Sequence, residues 1–583
     1  MTPARFPVLA IAFAFAVFIA PGPRAQQAAP AVQPVISDYA RILPVIGRQG
    51  MVVSQEASAS RIGLDVLKRG GNAVDAAVAV GFALAVTLPR AGNLGGGGFM
   101  LLHRADMHQS IAIDYRETAP AATTKDVFLD EKGNADPRKS MFSGLAIGVP
   151  GTVAGLELAQ RKYGSGKFSL AELVAPAVRL AREGLAVDDD LADSLPAAAK
   201  MLARYPSSAR IFLKGDGSAL ARGDMLVQTD LANTLEAIGR DGPQAFYEGA
   251  IAEKIAAAVR EAGGRMQAED LKAYQPFERA PVAGVYRGYD IVSMPPPSSG
   301  GVHVVQILNL LEGFPIGALG ANSAETIHLM AEAMKLAYAD RSEFLGDPAF
   351  AEVPVRGLTS KAYAGTLRPR ISATRARPAA DIKPGAPLPY ESDQTTHFSV
   401  VDKDGNAVSN TYTLNFSYGL GLVAEGTGVL LNNELDDFAA KPGVPNAYGL
   451  IGGDANAPGP GKRPLSSMSP TLVFKDGQLV LVTGSPGGSR IITTVLQIIM
   501  NVIDHGMNAA EATEAVRVHH QWLPDELRVE RGLSIDTIRL LQARGHKVVT
   551  LPTMGSTQTI QRAEGLLYGA ADTRQRGTAA VGY

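Results

Sequence analysis

The sequence has no cysteine among its 583 residues. Disulfide frameworks, thiol catalysis and zinc sites built from thiolates are therefore excluded. Neither sign of charge dominates, because 55 basic residues face 57 acidic ones, and we find no long basic run. We therefore expect no nucleic-acid partner. Apolar residues make up 46% of the chain, alongside 62 glycines and 37 prolines, which is typical of a large, loop-rich globular protein.

An apolar segment at the N-terminus is too short to cross a bilayer. Residues 6–20 are apolar, follow Arg5, and number fewer than the roughly 20 residues of a membrane span. A Pro-Gly-Pro break follows, and Ala25 offers a cleavage point. This pattern predicts a signal peptide over residues 1–25, and hence a bacterial periplasmic or secreted protein without stable membrane insertion. The alternative is an uncleaved anchor, which the Pro-Gly-Pro break disfavours.

No glycine cluster in the sequence carries the Gly-Lys-Ser/Thr ending of a phosphate loop. Residues 92–98 are predicted to form a tight turn that leads into a buried strand. Residues 484–490 join a predicted strand to an apolar helix, so backbone N–H groups converge there. Such a turn could bind phosphate or the oxyanion of an acyl transfer. Because the lysine is missing, we predict an oxyanion hole formed by Gly487 and Gly488.

The middle of the chain joins a loop rich in Pro, Gly and Ala, residues 375–393, to a predicted strand that begins near Thr395. A loop of this kind, leading into a buried strand, tolerates chain cleavage. A cut between Gln394 and Thr395 would give one residue both a hydroxyl and a free amine. That residue would carry a nucleophile and its own base.

The string Thr-Thr-His-Phe-Ser-Val-Val-Asp at residues 395–402 resembles the processing site of the γ-glutamyltranspeptidases. These are N-terminal-nucleophile hydrolases, which cleave themselves to become active. Further strings resemble the family and occur in its order along the chain: residues 70–77, 92–100, 111–120 and 146–152. The resemblance implies an α+β fold, a four-layer αββα sandwich formed by two subunits from one precursor.

The resemblance also implies the organisation of the chain. After the signal peptide, residues 26–394 would form the large subunit and residues 395–583 the small catalytic subunit. The two subunits would remain partners after cleavage. We expect no cofactor, and no metal site at His519 and His520, because adjacent side chains point apart in an extended chain.

One group of residues is assigned to the carboxylate end of a γ-glutamyl ligand. Arg116 follows a predicted strand, and from the residues alone a surface salt bridge with Glu117 or Asp114 is favoured. The resemblance instead implies that Arg116 binds the α-carboxylate. It gives the same role to Ser466 and Ser467, since paired hydroxyls can bind a carboxylate together with an arginine.

A second group is assigned to the amino end and to the nucleophile. Strand alternation places Thr413 and Asn415 on one face, which could be an ordinary solvated face. The acidic turn at residues 432–438 could equally be a metal or solvated loop. The resemblance implies that Thr413 hydrogen-bonds the nucleophile, and that Asn415, Glu434 and Asp437 bind the amino end. Some relatives have Gln at the position of Glu434.

A loop at residues 442–453, rich in Gly and Pro, is predicted to be a lid that excludes water, with Tyr448 as its latch. The implied reaction transfers the γ-glutamyl group of glutathione or related amides to water, amino acids or peptides. Two alternatives stay open: a glutaryl or cephalosporin acylase on the same scaffold, and an exported amino-acid-binding protein without catalysis. The acidic pair Glu434 and Asp437 argues against the acylase, because a glutaryl group has no cationic end.

Overall fold

Two seven-stranded sheets carry the fold. The computed structural model describes residues 42–387 and 398–583. Its strands are β1 (Val45–Gly47), β2 (Met51–Ser54), β3 (Gly97–Arg104), β4 (Gln109–Tyr115), β5 (Leu185–Ala186), β6 (Met225–Leu226), β7 (Phe277–Arg279), β8 (Val282–Tyr286), β9 (Tyr289–Ser293), β10 (Ser399–Val401), β11 (Ala407–Thr413), β12 (Val423–Ala424), β13 (Val429–Leu430), β14 (Thr471–Lys475), β15 (Gln478–Thr483), β16 (Val518–His519), β17 (Leu527–Glu530), β18 (Val548–Leu551), β19 (Gln558–Ala563), β20 (Leu566–Ala571) and β21 (Ala579–Gly582).

The helices cover the outer faces of these sheets and fill the connections between strands. They are α1 (Ala57–Lys68), α2 (Ala73–Thr87), α3 (Pro137–Phe142), α4 (Thr152–Tyr163), α5 (Leu170–Glu183), α6 (Asp189–Leu202), α7 (Pro206–Phe212), α8 (Thr229–Asp241), α9 (Gln244–Tyr247), α10 (Gly249–Glu261), α11 (Ala268–Lys272), α12 (Gly300–Leu311), α13 (Ile316–Leu319), α14 (Ala324–Phe344), α15 (Val355–Leu358), α16 (Lys361–Leu367), α17 (Ile491–Ile503), α18 (Ala509–Glu514) and α19 (Ile535–Ala543). In the described part of the chain, no helix is both long enough and apolar enough to cross a membrane.

The first sheet has the strand order β21-β2-β10-β11-β3-β4-β7, and the second has the order β1-β20-β19-β15-β14-β9-β8. In the first sheet, β10 lies between β2 and β11, with Ser399 opposite both Val53 and Ser409. Strands from before and after residue 394 are therefore interleaved in one sheet, since β2 lies between β21 and β10 and β11 pairs with β3. Backbone hydrogen bonds of this ladder do not depend on the peptide bond that follows residue 394.

The alternation of β2 shows how the layers stack. Met51 and Val53 belong to the apolar core that includes the second sheet, whereas Val52 packs with the helices on the other side. Successive side chains of a strand point to opposite faces, so one strand serves two cores. Helices α1, α2 and α4 cover the first sheet, whereas α12 and α18 pack against the second and α17 packs on these two helices. The expected α+β, four-layer αββα architecture is confirmed.

Helix α2 begins at a capped N-terminus. Asn72 caps it by accepting hydrogen bonds from the backbone N–H groups of Val74 and Asp75. The side chain of Asp75 in turn accepts a hydrogen bond from the N–H of Asn72, which completes a capping box. Every residue of α2 is buried. An apolar surface on all sides suits a helix packed between a sheet and other helices.

Candidate active site

A cavity of about 170 Å³ opens where β11 ends, beside the loop after β13 and the turn before α17. Nine of the residues predicted for the site line it: Thr413, Asn415, Glu434, Asp437, Tyr448, Ser466, Ser467, Gly487 and Gly488. These residues come from segments far apart in sequence. The cavity is therefore a product of the fold rather than of one motif.

Arg116 lies directly behind this cavity, immediately after β4. Its side chain is fully buried, which contradicts the surface salt bridge that the residues alone favour. The guanidinium donates hydrogen bonds to Oε1 of Glu434 and, at 2.6 Å, to Oδ2 of Asp437. Its Nε donates to the carbonyl oxygen of Pro464 at 3.1 Å. Arg116 thus fixes the two acidic side chains at the cavity wall.

The charges around Arg116 do not balance. Glu434, Asp437 and Glu117 all lie near the one guanidinium, with Oε2 of Glu117 at 3.8 Å. Burial raises the pKa of Glu434 and of Asp437, and it raises the pKa of Glu117 to about 7. Oε2 of Glu434 has no hydrogen-bond partner among the described residues. This surplus of carboxylate suits a ligand that brings an ammonium group.

The two serines lie together at another part of the cavity wall. Oγ of Ser466 accepts a hydrogen bond from the N–H of Met468 at 3.2 Å. Oγ of Ser467 accepts one from Nη2 of Arg341 at 3.1 Å. A hydroxyl that accepts from the protein keeps its own proton for donation. Both serines can therefore donate to a carboxylate in the cavity.

Asn415 does not share a strand face with Thr413, so the prediction from alternation is wrong. Strand β11 ends at Thr413, and Asn415 lies beyond it in the left-handed region, with φ of 74°. Oγ1 of Thr413 accepts a hydrogen bond from the N–H of Asn415 at 2.9 Å. Nδ2 of Asn415 donates to the carbonyl of Asn433 at 3.0 Å. A turn held by side-chain bonds, not strand geometry, brings both residues to the cavity.

The loop at residues 442–453 contributes Tyr448 and Leu450 to the cavity wall. The hydroxyl of Tyr448 donates to Oδ1 of Asn415 at 2.8 Å, and its ring packs against Phe416 at 5.6 Å between centroids. A Cβ atom at Gly488 would lie 2.6 Å from this ring. Position 488 must therefore be glycine for the loop to close as it does.

Gly487 and Gly488 form the turn between β15 and α17, with φ of 138° and 58°. Glycine adopts both values without strain, whereas other residue types adopt them rarely. The N–H of Arg490 donates to the carbonyl of Gly487 at 3.2 Å. Within residues 42–387 and 398–583, the amides of Gly487 and Gly488 donate no hydrogen bond. Two such N–H groups beside a cavity suit a developing oxyanion.

A family model for gamma-glutamyltranspeptidase matches residues 59–582. This chain belongs to the gamma-glutamyltranspeptidase family. The membership predicted from the processing-site string is confirmed, and it extends over nearly the whole described chain.

Two relatives and one solved structure match this chain over more than nine-tenths of both lengths. The glutathione hydrolase proenzyme of Escherichia coli (strain K12) is 58% identical over 93% of this chain and 93% of its own. That of Pseudomonas sp. (strain A14) is 47% identical over 93% of this chain and 95% of its own. The crystal structure of cephalosporin acylase from Bacillus halodurans has a TM-score of 0.83 at 29% identity, covering 94% of this chain and 99% of that one.

Gln394 and Thr395, the predicted cleavage point of this gamma-glutamyltranspeptidase, lie outside the described residues. Phe398 is the first described residue after them, and it lines the cavity. The structure thus describes the surroundings of the site, while the nucleophile itself stays a prediction.

Two residues that the sequence did not single out support the site. Arg341 on α14 donates to the side chains of Ser299 and Ser467. Ser299 precedes α12, but its hydroxyl makes no cap bond and donates to the carbonyl of Ser466 instead. An arginine in an otherwise buried helix was the available signal, since a buried charge needs polar partners.

Three side chains outside the cavity could surround a metal ion: His328, Glu332 and His546. Nδ1 of His328 lies 2.8 Å from Nε2 of His546. The ammonium of Lys335 lies 2.6 Å from Oε1 of Glu332, so the carboxylate already has a cation. An ion pair and a histidine pair account for this cluster without a metal.

Proposed function

We propose that this protein is a self-processing enzyme that transfers the γ-glutamyl group of glutathione and related amides to water, amino acids or peptides. One observation carries the proposal: carboxylates, serine hydroxyls and backbone N–H groups converge on one cavity. Carboxylates complement an ammonium group, hydroxyls complement a carboxylate, and N–H groups complement an oxyanion. A γ-glutamyl amide under attack presents all three.

Maturation begins with attack of Oγ of Thr395 on the carbonyl carbon of Gln394. The C–N bond between the two residues breaks, the nitrogen takes up the hydroxyl proton, and an ester remains. Water hydrolyses this ester and leaves a carboxylate on Gln394 and a free amine on Thr395. The position of Phe398 supports this assignment, because three residues of chain span at most about 11 Å, so position 395 can reach the cavity.

Turnover uses the new amine as the base. Its ordinary pKa is about 7.7–8.0, so a useful fraction is unprotonated near neutral pH. The hydroxyl proton passes to the amine while Oγ bonds to the γ-carbonyl carbon, and the oxyanion accepts from Gly487 and Gly488. The amide C–N bond then breaks, and the departing amine takes the proton. Water or an acceptor amine cleaves the resulting γ-glutamyl ester.

In this proposal the ligand binds in one orientation. Asn415, Glu434 and Asp437 bind its amino end, whereas Arg116 and the two serines Ser466 and Ser467 contact its α-carboxylate. Thr413 hydrogen-bonds the nucleophile. Tyr448 closes the lid through Asn415 and keeps bulk water from the ester. No cofactor or metal enters these steps.

The variant Thr395→Ala tests the maturation step. Without the hydroxyl no ester can form, so we expect a single uncut chain and no release of 4-nitroaniline from γ-glutamyl-4-nitroanilide. Intact-mass measurement and gel electrophoresis give the answer, with N-terminal sequencing of the wild-type small subunit to locate the cut. A Thr395→Ala protein that still appears as two chains cut after Gln394 contradicts the proposal.

The alternative of a glutaryl acylase draws support from the similarity to cephalosporin acylase. The carboxylates beside Arg116 weigh against it, because they would face an uncharged chain. Turnover of γ-glutamyl and glutaryl anilides separates the two activities. A non-catalytic binding protein would bind glutamate tightly and remain uncut.

The organisation of the chain follows from the same proposal. A signal peptide at residues 1–25 directs a bacterial protein to the periplasm or outside the cell. Residues 26–394 become the large subunit and residues 395–583 the small one. The interleaved strands of the first sheet support a lasting association, since β2 bonds to β10 and β21, and β3 bonds to β11.

A further inference from the structure

Arg341 is a buried cation that makes no ion pair among the described residues, and the carboxylate of Asp437 acts on it only from a longer distance. Arg341 is 5% exposed, and among the described residues no carboxylate lies within ion-pair distance of it. Its pKa falls to about 10 because burial disfavours the charged form, so it remains protonated at neutral pH. A buried unpaired guanidinium is costly, and such groups are found where an anion binds.

The hydrogen bonds of Arg341 lead to both serines of the cavity. Nη2 donates to Oγ of Ser467 at 3.1 Å, and Nε donates to Oγ of Ser299 at 2.7 Å. The Ser299 hydroxyl donates in turn to the carbonyl of Ser466 at 2.9 Å, and its N–H donates there at 2.8 Å. One guanidinium therefore bonds directly to the Ser467 hydroxyl and, through Ser299, holds the backbone of Ser466.

Arg116 is a weaker source of positive charge than its position implies. Two of its N–H groups are directed at Glu434 and Asp437, and Glu117 adds a third carboxylate at 3.8 Å. The surroundings of Arg116 are thus net negative. A second cation nearby would therefore strengthen the attraction of the subsite for a ligand carboxylate.

We propose that Arg341 adds a second positive charge to the α-carboxylate subsite beside that of Arg116, acting through Ser467 as a positioning residue. The inference rests on the proposed function and names the source of its carboxylate selectivity. Arg341 holds the Ser467 hydroxyl as an acceptor, so the hydroxyl proton is directed to the ligand. The ligand's ammonium faces Glu434 and Asp437, and its carboxylate faces the Ser467–Arg341 pair.

The variant Arg341→Met tests this, because methionine keeps an unbranched apolar side chain and removes the charge. L-glutamate and 4-aminobutanoate, which differ only in the α-carboxylate, serve as competitive inhibitors of γ-glutamyl-4-nitroanilide turnover. We expect the inhibition constant of L-glutamate and the KM of the anilide to rise about 10- to 100-fold. The inhibition constant of 4-aminobutanoate stays within about twofold. Arg182→Met, an exposed arginine, is the matched control and leaves both constants unchanged.

Equal weakening of both inhibitors, or no weakening of either, overturns the inference, because a merely structural arginine does not distinguish them. If intact mass shows that Arg341→Met is not processed, the variant Arg341→Lys replaces it in the test. Because lysine keeps the charge, we expect the inhibition constant of L-glutamate alone to rise about 3- to 10-fold. A wild-type protein that does not turn over the anilide refutes the proposed function and the inference with it. If the wild type is active and Arg341→Met is inhibited by L-glutamate as strongly as the wild type, only the inference is refuted.

Discussion

The carboxylate of Asp437 contacts the Arg116 guanidinium and also faces the cavity where the ligand's ammonium group would bind. Its Oδ2 accepts from the Arg116 guanidinium at 2.6 Å, and its side chain also lines the cavity. Arg116 therefore orients Asp437 for an ammonium group rather than consuming its charge. The same holds for Glu434, whose Oε2 has no partner among the described residues.

Replacing Asp437 by asparagine removes the charge and keeps the shape. A hydrogen bond to a charged group contributes about 1.5–3 kcal/mol, so we expect kcat/KM for γ-glutamyl-4-nitroanilide to fall about 10- to 100-fold. Inhibition by L-glutamate weakens with it, whereas inhibition by glutarate, which lacks the ammonium, does not. Asp454→Asn, an exposed carboxylate nearby in the chain, is the control. Equal weakening of both inhibitors contradicts a role in ammonium recognition.

At the scale of structural elements, the buried side chain of Gln521 connects the loop at residues 442–453 to the turn that contains Gly487 and Gly488. Nε2 of Gln521 donates to the carbonyl of Tyr448 at 3.1 Å. Its Oε1 accepts from the hydroxyl of Ser489 at 2.8 Å and from His519 at 3.0 Å. Burial lowers the pKa of His519 to about 3, so this histidine is neutral and donates from Nε2. Gln521 thus ties the loop over the cavity to the turn that carries Gly488.

Gln521→Ala is expected to loosen the lid. It removes bonds worth about 0.5–1.5 kcal/mol each, so kcat/KM should fall about 10-fold. Limited proteolysis within residues 442–453 should also become faster, because the loop opens more often. Gln542→Ala on the exposed face of α19 serves as the control. Unchanged kinetics together with unchanged proteolysis would show that Tyr448 alone holds the loop.

At the scale of the whole molecule, the acidic cluster reduces stability at neutral pH. Asp436 is buried, and its Oδ2 has no hydrogen-bond partner among the described residues. Burial raises its pKa from 3.8 to about 7. Between these values the folded protein binds the proton more tightly than the unfolded chain does. Stability contributed by this residue therefore falls as pH rises from about 4 to about 7.

The variant Asp436→Asn removes the loss of stability that occurs as pH rises from about 4 to about 7. Above pH 7 the variant should be more stable than wild type by about 1–4 kcal/mol, since each pKa unit corresponds to about 1.4 kcal/mol. At pH 4 both carboxyl and amide are neutral, so the difference should vanish. Thermal unfolding at pH 8 and pH 4 measures this, with Asp454→Asn as the exposed control. A variant that is less stable at pH 8 contradicts the argument.

Much of the architecture follows from local patterns. The Asn72 cap and the apolar residues after it predict α2 almost to its last residue. The glycine turn before α17 forms where the sequence predicts it, between a strand and an apolar helix. Alternation fails at Asn415, because a left-handed residue ends the strand two positions earlier, and alternation holds only within a strand.

The amino-acid sequence by itself determined the family, the order of the motifs, and the residue types of the site, because these are fixed by local strings. Only the tertiary structure decided which charges meet. Arg116 contacts Glu434 across 318 positions of chain, and Arg341 contacts Ser467 across 126. Burial then sets the strength of those charges, and neither burial nor distant contact can be read from neighbours in the chain.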